Sequence, residues 1–147
     1  MSLKTQITED MKNAMRAKET ARLGTIRLLL AAMKQREVDE RIELMDADVI
    51  GVIEKMLKQR RDSIAAYESA KRADLADIEK AEVAVLQTYL PQQLSEDEIK
   101  TILDKVVTDT GALGMQDMGK VMAAIKPLII GRADMGKISA LIKTRLS

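Results

Sequence analysis

The segment LQTYLPQQLSEDEIKTILDKVV, residues 86–107, decides the fold. Leu86, Tyr89 and Leu90 close one apolar helical stripe, and Pro91 stops it. Proline lacks a backbone donor and disfavours helical geometry at the residue before it. Four residues later Ser95 and Glu98 form a Ser-x-x-Glu capping box, in which each side chain satisfies the other residue's free backbone amide. Ile99, Ile102, Leu103, Val106 and Val107 then follow the helical period, and Gly111 and Gly114 end the run. A helix ends, a short linker follows and a new helix starts, with no period-two alternation on either side. This predicts an all-α chain of two parts: an amino-terminal bundle of about four helices over 1–91, and a three-helix subdomain over 92–147.

Upstream, helix formers dominate, and Gly24 and Gly51 are the only glycines before Pro91. Leu3, Ile7, Met11 and Met15 recur every four residues and predict a first amphipathic helix. Leu23, Ile26, Leu30 and Met33 give a second stripe, which Leu28 and Leu29 widen, so this helix is expected to be buried on more than one side. Asp46 or Asp48 caps a third helix by accepting from free backbone amides, with Val49, Ile53, Met56, Leu57, Ile64 and Tyr67 on its apolar face. Arg60 falls inside that stripe, which implies a snorkelling stem or a bridge at its edge. After a break at 71–73, Asp74 caps a fourth helix carrying Leu75, Ile78, Val85, Leu86, Tyr89 and Leu90.

Downstream, Asp117 opens a sixth helix with Met118, Val121, Met122 and Ile125, and Pro127 lies at its end. Asp134 caps a seventh with Ile138, Leu141, Ile142 and Leu146. Arg145 intrudes on that arc, so the last turn is expected to fray or to lean the cation out to solvent. The chain holds 147 residues, enough to bury a core without staples, although a part of ~57 residues is marginal by itself.

Composition excludes most chemistry. No cysteine is present, which removes disulfides, thiolate nucleophiles and zinc ribbons. No histidine is present either, so Ser-His triads and HExxH sites are ruled out. No metal or cofactor is implied, and no catalytic residue is assigned. With Tyr67 and Tyr89 as the only aromatics, base-stacking platforms lack their material. Charge is nearly balanced, 24 basic against 23 acidic residues, so a generally basic nucleic-acid binder is not indicated. No apolar run approaches the ~20 residues that span a bilayer, and the amino terminus lacks a signal-peptide pattern. These features predict a cytoplasmic chain with no membrane contact.

Residues 118–136 offer the main candidate site: Gly119 and Lys120 at a helix start, Lys126 before Pro127, then Gly131, Arg132, Asp134 and Lys137. One reading is a helix–turn–helix corner, with Gly131 left-handed and Asp134 a plain cap. The other is that free amides at the helix start, with Arg132 and Lys137, receive a phosphate, and that Lys120 and Lys126 add charge. Lys58, Arg60 and Arg61 form a second cluster able to meet an RNA backbone; against this, Glu54 stands four residues before Lys58 in ion-pair register. Ser63 near Lys and Arg lacks the oxyanion loop a Ser-Lys nucleophile needs. Asp74, Asp77 and Glu79 imitate a carboxylate pair, but acids are favoured at helix starts by the dipole alone.

Three segments carry a family resemblance. Residues 27–34 (RLLLAAMK), 59–63 (QRRDS) with Tyr67, and 86–94 (LQTYLPQQL) resemble signatures of the GatB/YqeY-like proteins over nearly the whole chain. The last third resembles the helical tail of the B subunit of glutamine-dependent tRNA amidotransferases. Gly119, Val121 and Met122 match its Gly-x-Val-Met run. Gly131, Ala133 and Asp134 match its Gly-Lys-Ala-Asn turn, with Arg132 in place of lysine. The resemblance implies a helical module that contacts tRNA, or a complex handling aminoacyl-tRNA, through Gly119, Lys120, Lys126, Gly131, Arg132 and Lys137. It also implies a link to carbon–nitrogen ligases with glutamine as amido donor, but the catalytic domain that precedes the tail in that subunit has no counterpart here. The alternative is a helical protein–protein adaptor without a nucleic-acid ligand.

Overall fold

The computed structural model describes residues 1–147 as seven α-helices and no strand: α1 Leu3–Arg16, α2 Thr20–Glu40, α3 Asp46–Ser69, α4 Ala73–Gln87, α5 Glu96–Thr110, α6 Met118–Ile129 and α7 Met135–Leu146. A 3-10 turn, Met115–Asp117, leads into α6. The chain divides into two compact units, Met1–Leu90 and Pro91–Ser147, and each has its own apolar core.

In the first unit α1–α4 enclose Ile7, Ile26, Leu29, Ile53, Leu57 and Leu86, all essentially without solvent access. Each such side chain contributes about 1.5–3 kcal/mol of transfer free energy. The α1 stripe differs from the expected one: Ala14 is buried and Met15 is exposed. A stripe repeating every four residues drifts around a helix of 3.6 residues per turn, so by the fourth repeat it has left the core face. In α2, Leu29 joins the core but Leu28 stays half exposed, so the helix is buried on one side only. In α4 the buried line runs through Ala76 and Leu86, and Ile78 faces solvent.

Local hydrogen bonds explain the helix ends. Ser2 caps α1 by accepting from Thr5 N at 3.1 Å. Neither aspartate is the N-cap of α3, a position held by Met45. Asp48 sits inside the first turn and accepts from Met45 N at 2.9 Å, while Asp46 accepts from Leu3 N at 2.9 Å and so serves α1. Asp74 likewise is no cap: it pairs with Arg72 through Nε (3.1 Å) and Nη2 (3.0 Å), and that ion pair holds its carboxyl below the usual range. The first three helices each end at a left-handed cation: Lys18 (φ 59°), Arg41 (φ 55°) and Lys71 (φ 59°). Positive charge there suits the negative end of the helix dipole, although the left-handed conformation is costly for a residue with a Cβ.

Side-chain ties fasten the first unit. Glu37 of α2 accepts from Lys4 Nζ of α1 at 2.8 Å and from Leu44 N at 3.2 Å. Tyr89 donates its hydroxyl to Asp10 Oδ2 at 2.7 Å. Arg60 is the bridge its place in the stripe implies: Nε and Nη2 donate to Glu82 Oε2 of α4 at 3.1 and 2.9 Å, with Glu79 at 4.0 Å.

The second unit packs α5, α6 and α7 around Leu103, Val121, Ile125, Ile129, Ile138 and Ile142. The capping box forms as its sequence implies, with Glu98 N donating to Ser95 Oγ at 3.2 Å and Ser95 N to Glu98 Oε1 at 3.4 Å. Gly111 closes α5 at φ 67°. Pro127 lies inside α6, which continues to Ile129. The proline lacks the donor that would reach the Ala123 carbonyl, and it stands at an exposed position two residues before the helix ends. Arg145 leans out and donates to Asp104 Oδ1 of α5 at 3.1 Å, and α7 persists to a buried Leu146.

Candidate nucleic-acid interface

The corner between α6 and α7 is built by the linker that precedes α5. Gly131 is buried at φ 74°, a left-handed conformation that glycine takes without steric cost. Its carbonyl accepts from Gln93 Nε2 at 2.8 Å. Arg132 is half-buried; its carbonyl accepts from Leu94 N at 2.8 Å, and its Nε donates to Gln92 O at 3.1 Å. Three hydrogen bonds thus clamp residues 92–94 onto residues 131–132. Gly131 serves this turn and is covered by chain, and one guanidinium donor of Arg132 is spent on the linker.

The start of α7 is also occupied. Asp134 caps it by accepting from Gly136 N at 3.0 Å. That carboxylate already neutralises the positive end of the helix dipole, so a phosphate placed there would meet a negative charge. The helix–turn–helix corner is therefore the structural role of Gly131 and Asp134. At the other end, Gly119 lies exposed in the first turn of α6, and a Cβ added there would meet nothing within 4 Å.

The cations beside the corner are differently placed. Lys120 and Lys126 of α6 and Lys137 of α7 are exposed, as is Lys143. In the second unit Arg145 alone is ion-paired, with Asp104. Sequence reasoning from the balanced overall charge misses how unevenly this unit is charged. Met118–Ser147 carries six cations against one acid, Asp134, whereas Pro91–Asp117 carries two cations against six acids. A running charge count along the last third finds this boundary at Asp117. α6 and α7 are thus the cation-rich part of a molecule of formal net charge +1, with two exposed lysines on each helix.

The second candidate cluster disperses. Arg60 turns to Glu82, while Lys58 and Arg61 stay exposed. The expected Glu54–Lys58 pair does not form: Glu54 Oε1 is buried without a partner. Asp74, Asp77 and Glu79 do not converge, since Asp74 pairs with Arg72, Glu79 approaches Arg60 and Asp77 faces solvent. Ser63 sits half-buried within α3.

Comparison with known proteins places the chain. The family model described as Yqey-like protein matches residues 4–146. Among curated relatives, a Vanderwaltozyma polyspora protein named "Altered inheritance of mitochondria protein 41, mitochondrial" is 34% identical over 119 residues, 76% of this chain and 64% of that protein. The protein of the same name from Kluyveromyces lactis is 36% identical over 107 residues, 70% of this chain and 57% of its own length. That from Pyrenophora tritici-repentis is 31% identical over 130 residues, 87% of this chain and 71% of its own. The chain spans about three-fifths of the first two relatives. Their names correct the expectation of a cytoplasmic chain, since they point to a mitochondrial setting. Hydropathy and cysteine usage had no power here: they register a spanning helix or a disulfide, not one reducing aqueous compartment against another. With its matched span covering all but the terminal residues, the chain belongs to the YqeY-like family.

Proposed function

We propose that the second unit is a non-catalytic docking surface for the phosphate backbone of tRNA, alone or within a complex that handles aminoacyl-tRNA. The observation that carries this reading is the segregated charge: Lys120, Lys126, Lys137 and Lys143 are exposed and free of carboxylate partners on α6 and α7. The resemblance of this segment to the amidotransferase tail supplies tRNA as the polyanion. Phosphate contacts fix register and orientation and read no sequence, which suits a surface without aromatic side chains. Gly119, with open space at its Cβ position, leaves the α6 backbone approachable beside Lys120. Arg132 contributes through the guanidinium nitrogens its bond to Gln92 leaves unused, and Gly131 acts only by shaping the corner.

A gel shift with total tRNA across a salt series tests the proposal. Four phosphate contacts give a slope of log K against log salt of about −3, at ~0.7–0.9 per contact. The expected result is a shift at low salt that fades steeply and is lost in the double variant Lys120→Glu, Lys126→Glu. No shift at low salt contradicts it. A second reading, the adaptor without nucleic acid, is favoured by the α5–α6 loop. There Leu113 is 91% exposed and its amide is tied to Asp117 Oδ2 at 2.9 Å, an ordered apolar tip. Capture of one protein partner, lost with Leu113→Ser and indifferent to nuclease, would select that reading.

A further inference from the structure

Arg132 differs from the lysines of α6 and α7 in how it is held. Lys120, Lys126, Lys137 and Lys143 are exposed, and each would lose side-chain freedom on settling against one phosphate. Arg132 has lost that freedom already. Its amide donates to the Ile129 carbonyl at 2.8 Å, its carbonyl accepts from Leu94 N at 2.8 Å, and its Nε donates to Gln92 O at 3.1 Å. The residue before it is fixed as well, because Gln93 Nε2 donates to the Gly131 carbonyl at 2.8 Å. The bond to Gln92 occupies Nε alone. Nη1 and Nη2 make no hydrogen bond or ion pair within the chain, and Asp134, the only acid after Asp117, accepts from Gly136 N instead. Two guanidinium nitrogens with their N–H donors are left as a planar pair at the end of a tethered side chain. A backbone carbonyl is neutral, so it orients the guanidinium without cancelling its charge. Arg145, paired with Asp104, keeps no such surplus.

We propose that Arg132 is the anchor of the docking surface, gripping one backbone phosphate of tRNA through paired hydrogen bonds from Nη1 and Nη2, and that Gln93 is the positioning residue that holds Gly131 and so aims the guanidinium. This rests on the reading of the second unit as a tRNA-docking surface. A phosphodiester offers two unesterified oxygens, a geometry that a guanidinium matches with parallel N–H donors and an ammonium does not. The lysines then supply attraction and counter-ion release, which depend on charge and little on direction. Arg132 fixes which phosphate sits at the corner, because its planar pair is already oriented before the RNA arrives. Gln93 touches no RNA in this scheme. It acts 38 residues along the chain, through the Gly131 carbonyl, on the one cation whose direction matters.

Gel shifts of the full chain with total tRNA across a salt series test this in the wild type, Arg132→Lys, Gln93→Met and the double variant. Arg132→Lys keeps the charge, so the slope of log K against log salt is unchanged. Its affinity at each salt falls about tenfold, the worth of one charge-assisted hydrogen bond. Gln93→Met keeps every charge and nearly the same side-chain length but removes the donor to Gly131. Its affinity falls about three- to tenfold, again with the slope unchanged. In the Arg132→Lys background the same change causes under about a twofold further loss, because the fork it aims is gone. A bond that only stabilised the corner would cost the same in both backgrounds. Arg132→Lys alters only the end of a half-buried side chain, so it decides the anchor even where Gln93→Met lowers the helical circular dichroism. Arg132→Lys binding as tightly as the wild type, or an equal Gln93→Met loss in both backgrounds, overturns the proposal and leaves the tRNA reading standing. No wild-type shift at low salt overturns both.

Discussion

Arg60 lies in the apolar stripe of α3 because it holds α3 to α4, and replacing it tests that reasoning. The Arg60, Glu82 and Glu79 side chains are 15%, 19% and 22% exposed. Removing one partner of a fully buried pair costs about 3–5 kcal/mol, whereas an exposed pair is worth ~0.2–1 kcal/mol. At this exposure Arg60→Ala is expected to cost about 2 kcal/mol, including the packing of its aliphatic stem. The cost arises because two half-buried carboxylates lose their counter-ion. Glu82→Ala costs less, since Glu79 stays within reach of the guanidinium. A double-mutant cycle isolates a coupling of about 1–1.5 kcal/mol. The assay exploits composition: both tyrosines, Tyr67 and Tyr89, lie in the first unit and no tryptophan is present. Tyrosine fluorescence in urea therefore follows that unit alone. With a slope of ~1 kcal/mol per molar urea for a unit this size, Arg60→Ala lowers the midpoint by about 2 M. A loss under ~0.5 kcal/mol, or a coupling within the ~0.3 kcal/mol scatter of independent sites, refutes the bridge.

Further outcomes follow from single contacts. Gly24→Ala, measured by the same fluorescence at low protein concentration, raises the stability of the first unit by up to about 1 kcal/mol, because the site is open and helical. Gly131→Ala destabilises the second unit by about 1–2 kcal/mol through its left-handed backbone, read as an earlier transition in circular dichroism. Glu37 is held below the usual carboxylate range, first by the hydrogen bond from Lys4 and then by the Leu44 amide. A lowered folded pKa contributes stability above the unfolded value of ~4.3 and loses it as pH falls through the folded value. Glu37→Gln is therefore expected to flatten the acid limb of an unfolding-versus-pH curve below about pH 5 and to leave its slope near neutrality unchanged. The Tyr89 phenol is pushed up by burial first and by Asp10 second. A raised folded pKa holds stability below the unfolded value of ~10 and loses it above, so Tyr89→Phe removes that alkaline loss while costing about 1 kcal/mol at neutral pH.

The all-helical class, the Ser95–Glu98 box, the Gly111 stop and the Asp134 cap were legible because each is a local arrangement of adjacent residues. Two helix ends were not, since their left-handed positions carry Lys18 and Arg41 where a glycine would have marked them, whereas the left-handed Lys71 falls in the break expected at 71–73. Met15, Leu28 and Ile78 have core-like identities but sit beside the buried arc, and periodicity alone fixes a helix face only to within about one position. The site divides in the same way. A left-handed Gly131 is readable from its neighbours. The clamp of Gln92, Gln93 and Leu94 that covers it depends on residues about 40 positions away, and no local pattern announces it.

Site-resolved amide NMR of the full chain titrated with tRNA tests the central claim most directly. The account predicts that perturbed resonances fall within Met118–Ser147, strongest around Lys120, Lys126, Lys137 and Lys143, and that Met1–Leu90 stays quiet. Perturbations centred on the first unit, or an unchanged spectrum at low salt, would contradict it.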